Sequence, residues 1–372
     1  MIRSPYNSAT IGRRALLVGA AGLAIGAGRS SSGYVSGSAI QRLLDAARDG
    51  KGPRDSAGRH IAKVPKGTYL LTEPLIVHRD THLDATDARI VARFPAVGVK
   101  RTMVLNAVAA GTGGYAGAGN IAITGGSWDP VWDFVQRGKA DEAPATNVIT
   151  IIHSSDVLIQ RATIWNVKWW HGIELNAVRR GTVSGCVLKG WIADPGQGLW
   201  HGEAVQLDLP TGDNTWAGAS DMTPCRDILI TGNTCDASGS QGGWGQFTGS
   251  HTTDPAHPHV GVRIEHNTVR ATRWDGIATV NALDVRIKGN VLDGCEGGVY
   301  VKSVAGRPLK AVEITGNRVT GGGSRDWLAV RADATGPITD VVVTGNAVPC
   351  QKVRYYGTVT PRPGTTLSCP PA

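Results

Sequence analysis

Short runs in which apolar and polar residues alternate recur along most of the chain, and each run stops at a turn. The runs are AITGG (122–126), VLIQRA (157–162), TVSGC (182–186), ILITGN (228–233), VRIEHN (262–267), VRIKGN (285–290), VEITGN (312–317) and VVVTGN (341–346). Alternation of period two predicts strands with one buried face. The later copies end on Asn233, Asn267, Asn290, Asn317 and Asn346, and the spacing is about 23 to 36 residues apart from one long gap between Cys186 and Asn233. A strand-turn phrase repeated at that period predicts a solenoid. One coil of short strands cannot bury its own apolar face, whereas stacked coils bury Ile and Val in a continuous interior. An asparagine at the same turn of each coil can bond its neighbours' backbone and tolerates left-handed backbone angles.

A second phrase precedes the Asn run in register: NVITII (147–152), HGIELN (171–176), EAVQLD (203–208), DGIATV (275–280), GGVYVK (297–302) and, less regularly, DWLAVR (326–331). Ile149, Ile173, Val205, Ile277 and Val299 are expected to point inward, which turns the first, fourth and sixth positions outward. The first column then holds Asn147, His171, Glu203 and, two coils on, Asp275. The fourth holds Thr150, Glu174 and Gln206. The sixth includes Asn176, Asp208, Lys302 and Arg331. Acids thus collect on one outward face. Ahead of the coils, Ile40, Leu43, Leu44 and Ala47 share one face of a predicted helix over 38–49, with Ser38 as its N-cap, and this helix would lid the open apolar end.

Composition sharpens the picture at three points. Gly is abundant (50 of 372 residues) without collagen periodicity, as many turns between short strands require. Trp outnumbers Phe 11 to 3; flat indoles stack on sugar rings while keeping a polar N–H. The net charge is +8, part of it in Arg3, Arg13 and Arg14 at the N-terminus. Those arginines precede an apolar run, Ala15 to Ala27, too short and glycine-rich to anchor in a membrane. Residues 1–27 therefore read as a secretory signal, and Arg13-Arg14 resembles a twin-arginine pair. A linker over 28–37, a catalytic domain over 38–349 and a tail over 350–372 complete the expected organisation. An extracellular monomer is expected, with no stable membrane insertion and no nucleic-acid partner, since no basic run interleaves with aromatics. Six cysteines suit an oxidising compartment, and Cys350 and Cys369 flank the proline-rich tail as a candidate staple.

From VPKGTYLLTEPLIVHRDTHLDATDARI (64–90) and NIAITGGSWDP (120–130) onward, the chain resembles the right-handed parallel β-helix proteins of the pectin-lyase-like superfamily over about residues 38–350. That resemblance implies an all-β solenoid and a polysaccharide substrate, with hydrolases and lyases both present on the scaffold. The coil carrying HGEAVQLD (201–208) is where polygalacturonase-type enzymes place an Asn-x-Asp motif. The Asn is absent here, as are Gly-Asp-Asp, Gly-His-Gly and Arg-x-Lys.

Two chemistries follow. A glycoside hydrolase would use Glu203 and Asp275, on the order of 10 Å apart along the axis at a coil spacing of about 4.8 Å, as acid and water-activating base. Asp208 is the alternative member, and Glu174 with Glu203 on adjacent coils is a closer pair. His171 would tune protonation. Glu174, His201, Trp200, Trp244, His251, Lys302 and Arg331 are candidate substrate contacts, the last two as holders of a uronate carboxylate. A polysaccharide lyase would instead need a base near C5 and a cation on the carboxylate, from Lys302, Arg273, Arg331 or a Ca2+ ion. No cofactor or metal is expected for the hydrolase, although His257-x-His259 has a spacing open to one. A non-catalytic glycan-binding protein is the third class. The segments WIADPGQGLWHGE (191–203), LPTGDNTWAGASDMTPC (209–225) and 241–261 are expected as loops around the cleft, with Trp191, Trp200, Trp216 and Trp244 as sugar platforms.

Overall fold

The computed structural model describes residues 33–193, 196, 202–212 and 216–369. The export segment, Trp200 and His201 lie outside these residues. Each coil contributes one strand to each of three parallel ladders. The first ladder runs from Leu75–Val77 through Thr102–Asn106 and the start of Asn147–Gln160 to Ile173–Ser184, Glu203–Asp208, Gln246–Gly249, Asp275–Val280, Gly297–Lys302, Leu328–Arg331 and Val353–Tyr356. The second holds the Asn runs, and the third is a ten-stranded sheet of short strands on the remaining side. Strands Asn147–Gln160 and Ile173–Ser184 are long enough to pass through the first two ladders.

The inward positions are occupied as the alternation requires. Ile149, Ile173, Val205, Ile277 and Val299 are buried and stack in register. At the Asn turn, Asn233 donates its backbone N–H and its Nδ2 to Oδ1 of Asn267, both at 2.9 Å. The pattern repeats from Asn267 to Asn290, Asn290 to Asn317 and Asn317 to Asn346. Left-handed backbone falls on the residue before each asparagine, not on the asparagine itself: Gly232, Gly289, Gly316 and Gly345 have φ of 64, 63, 64 and 64°. His266 takes that place at φ 56° in the one later copy without glycine. The asparagine is therefore selected as a bonding group and the glycine as the bend.

The helix forms over Ser38–Arg48 and buries Ile40, Leu44 and Ala47 against the first coils, with Leu43 half-buried. Its N-cap is Gly37 rather than Ser38. A Cβ on Gly37 would come within 2.4 Å of Leu71 Cδ2, so close packing leaves no room for a side-chain cap there. The coils continue beyond residue 349. Val353–Tyr356 and Val359–Pro361 pair on the strands Leu328–Arg331 and Ile338–Thr344, so the presumed tail adds a coil. Cys350 and Cys369 form a disulfide, and the other four cysteines are buried thiols. Among the described residues no helix is long and apolar enough to cross a membrane.

Replacing Asn290 by Ala strands two buried donors of Asn267. At ~1–3 kcal/mol for each unsatisfied group, denaturant unfolding should show a loss of about 2–6 kcal/mol. An exposed change such as Lys310→Ala should leave the midpoint almost unmoved.

Candidate active site

Register brings the outward columns together. Ile149, Ile173 and Val205 are aligned, so Asn147, His171 and Glu203 occupy one column on successive coils. Thr150, Glu174, Gln206 and Gly249 form the next, with Asn176 beside Asp208 in the third. Gln246 pairs with Glu203, and Thr248 with Ile277, which puts Asp275 two coils beyond Glu203. The intervening strand, Gln246–Gly249, lies inside a stretch expected to be wholly loop.

The resulting face is dry rather than solvated. Glu203 is 0% exposed, and Glu174 and Asp208 are almost as deeply buried. His171 Nδ1 lies 3.2 Å from one Glu203 oxygen and His251 Nε2 lies 2.8 Å from the other. Gln206 Nε2 donates to Asp208 Oδ2 at 2.9 Å and lies 3.3 Å from His251 Nδ1. Asp208 Oδ1 accepts the backbone N–H groups of Leu209 and Thr252 at 2.9 and 3.0 Å, which ties down the segment bearing His251. Glu174 accepts from Asn176 Nδ2 at 2.6 Å and from Asn147 Nδ2. Asn147 also takes the His171 backbone N–H on its Oδ1 at 2.9 Å, so one amide positions both an acid and a histidine.

These surroundings separate the protonation states. Burial, reinforced by the charge of Asp208, pushes the Glu174 carboxyl up to about 8. Burial pushes Asp208 up to about 6, against the pull of His251. Burial would raise Glu203 too, but the charge of His251 and the contacts of both histidines outweigh it and hold this carboxyl well below its usual range. Burial opposes the charged form of His251, yet the charge and contact of Glu203, followed by the charge of Asp208, raise it on balance. For His171 burial prevails over Glu203 and lowers it. At neutral pH the cluster therefore holds a protonated Glu174 beside ionised Glu203 and Asp208.

Other expected contacts are distributed differently. Asp275 is bound by Arg325 through Nη2 at 3.0 Å and Nε at 3.2 Å, and the guanidinium lies 3.7 Å over the Trp274 ring. Asp275 thus stands at the expected two-coil offset from Glu203 but is held by a cationic partner of its own. Trp244 is fully buried in the hydrophobic core and offers no face to a sugar, and Trp191 is likewise buried. Trp216 is only part-buried and meets Trp170 edge-on with centroids 5.6 Å apart. Arg101 lies over Trp170 at 4.5 Å. Lys302 and Arg331 stand on neighbouring coils farther along the groove. His257 and His259 do not act together: His257 Nδ1 contacts Asp254 at 2.9 Å, and buried His259 accepts the Cys225 N–H at 3.0 Å. Gln246 and Arg325 were not singled out from the sequence. Every coil needs a strand in each ladder, so the span from Asn233 to Asn267 demanded one near 246–249.

No family model and no curated protein matches the chain. Among solved structures it is similar to the surface adhesin PfbA of Streptococcus pneumoniae. The TM-score is 0.68 at 21% identity, over 83% of this chain and 74% of that one. It is also similar to a family 28 exopolygalacturonase of Yersinia enterocolitica, with a TM-score of 0.55 at 15% identity over 91% of this chain and 65% of the enzyme. The fold is thus a parallel β-helix, shared with these structures, with the N-terminal helix in place.

Glu174 binds a proton in the folded state that the unfolded chain releases near its ordinary value of 4.5. Its contribution to stability is complete below that pH and is lost as pH rises towards about 8. The difference in thermal midpoint between the wild type and Glu174→Gln should accordingly shift against the wild type between about pH 5 and pH 8. A difference that stays constant across this range would remove the raised carboxyl.

Proposed function

We propose that this chain is an exported glycoside hydrolase acting on a polysaccharide, with Glu174 as proton donor and Asp208 as the ionised carboxylate that activates water. The observation that carries the reading is the gathering of buried Glu174, Glu203 and Asp208 on two adjacent, register-paired strands, where burial pushes Glu174 up to about 8 and Asp208 up to about 6. A hydrolase requires one carboxyl to keep its proton at neutral pH while its partner has lost it. This assignment replaces the Glu203–Asp275 pair, because Arg325 clamps Asp275. Glu203 between its two histidines fixes the floor of the cleft. Asp275 with Arg325, then Lys302 and Arg331, continue the groove as substrate contacts. The family 28 exopolygalacturonase among the similar structures supports a glycan as the substrate class. The cluster is sealed, so segments over it, including the one carrying Trp216, must part for a glycan to reach it.

The test is a panel of neutral and uronic polysaccharides assayed for new reducing ends and for ultraviolet-absorbing unsaturated products, in medium and in cell extract. Hydrolysis gives reducing ends alone, and export places the activity in the medium. Glu174→Gln should lower kcat by about 10²–10⁴-fold while glycan binding persists, and wild-type activity should decline as pH rises through about 8. Unsaturated products would establish the lyase instead. Glycan binding with no turnover, unaltered in the variant, would leave a binding protein on a fold similar to that of the surface adhesin PfbA.

A further inference from the structure

We infer that His171, Glu203 and His251 are the ligands of a single divalent transition-metal ion, with Zn2+ the best match. One candidate ligand atom from each side chain lies within 4.8 Å of the others. His171 Nδ1 and His251 Nε2 both face the Glu203 carboxylate, at 3.2 and 2.8 Å. A carboxylate with no exposure normally accepts several well-formed hydrogen bonds. Here neither Glu203 oxygen accepts one from the described residues, and buried His171 Nδ1 makes none either. The histidine nitrogens approach the carboxylate at 3.2 and 2.8 Å, as expected where ligand atoms converge on a shared centre.

The donor set decides the class of ion. Two imidazoles and one carboxylate suit ions of borderline softness, whereas Ca2+ and Mg2+ prefer oxygen throughout. Ligand bonds of ~2.0–2.2 Å around a tetrahedral centre put ligand atoms roughly 3.3 Å apart. Seating the ion therefore needs the three ligand atoms, which lie within 4.8 Å of one another, to draw together around it. Three protein ligands leave one position open, the pattern of a working rather than a purely structural site. The outer contacts suit this role as well. Asn147 holds the His171 backbone, and Asp208 ties down the segment bearing His251 through the Thr252 N–H. The three ligands come from the residue just ahead of Ile173–Ser184, from Glu203–Asp208 and from the segment after Gln246–Gly249, so only completed coils assemble the set.

The inference is independent of the hydrolase reading, because binding requires no turnover. The purified chain, stripped with a chelator, is titrated with Zn2+ by calorimetry and with Co2+ by visible absorption. One equivalent of each is expected, and Co2+ should give the d–d bands of a nitrogen- and oxygen-ligated site. His251→Ala and Glu203→Gln should each weaken binding by more than the about 10–100-fold typical of an outer partner. His257→Ala, in the same histidine-bearing segment, should bind as the wild type does. Melting curves identify any variant that fails to fold, and in that event the wild-type Co2+ spectrum decides alone. Absence of stoichiometric binding, or binding lost in His257→Ala but kept in His251→Ala, overturns the site. Glycan cleavage by chelated protein that binds no metal would refute this inference and leave the hydrolase standing. Metal binding without cleavage would do the reverse.

Discussion

Hydrogen bonding between coils in strict parallel register is the constraint on which everything else depends. Adjacent coils stand about 4.8 Å apart, and each backbone group is satisfied only when equivalent residues lie above one another. A shift of one residue would turn Ile149, Ile173 and Val205 outward and scatter the polar columns. The asparagine ladder from Asn233 to Asn346 opposes such a shift in the C-terminal coils, because each side chain bonds both backbone and side chain of its neighbour. The helix lid over Ile40, Leu44 and Ala47 closes the apolar end.

Register also explains why carboxyls remote in sequence share one dry place. Glu174, Glu203 and Asp208 sit on two adjacent strands, and His251 is brought in by the strand that follows. Such a group cannot be uniformly charged. Histidines on either side keep Glu203 ionised, and Glu174 retains its proton instead. Amides, rather than further charges, secure the arrangement: Asn147, Asn176 and Gln206 each bond a carboxyl of the cluster. A scaffold made for stiffness thereby holds groups in opposed protonation states within reach of one another.

Much of this was legible in the chain because period-two alternation and the Gly-Asn turn leave a strong local trace. The columns Asn147–His171–Glu203, Thr150–Glu174–Gln206 and Asn176–Asp208 follow from counting back to the inward Ile and Val. What the sequence concealed depends on packing at a distance. Trp244 looked like a loop aromatic, but it fills the core because its coil turns inward there. Asp275 looked like a free acid until Arg325, fifty residues on, closed over it. His251 looked like one histidine in an irregular loop, and only the hidden strand Gln246–Gly249 brings it to Glu203.

The most direct measurement is infrared difference spectroscopy across a pH titration, following the carbonyl band of protonated carboxylic acids. A gathered, dry cluster should show one buried acid still protonated at neutral pH, titrating near 8 and missing from Glu174→Gln. If no such band exists at neutral pH, or if it is unchanged in the variant, the carboxyls are separately solvated and the proposed site is not assembled.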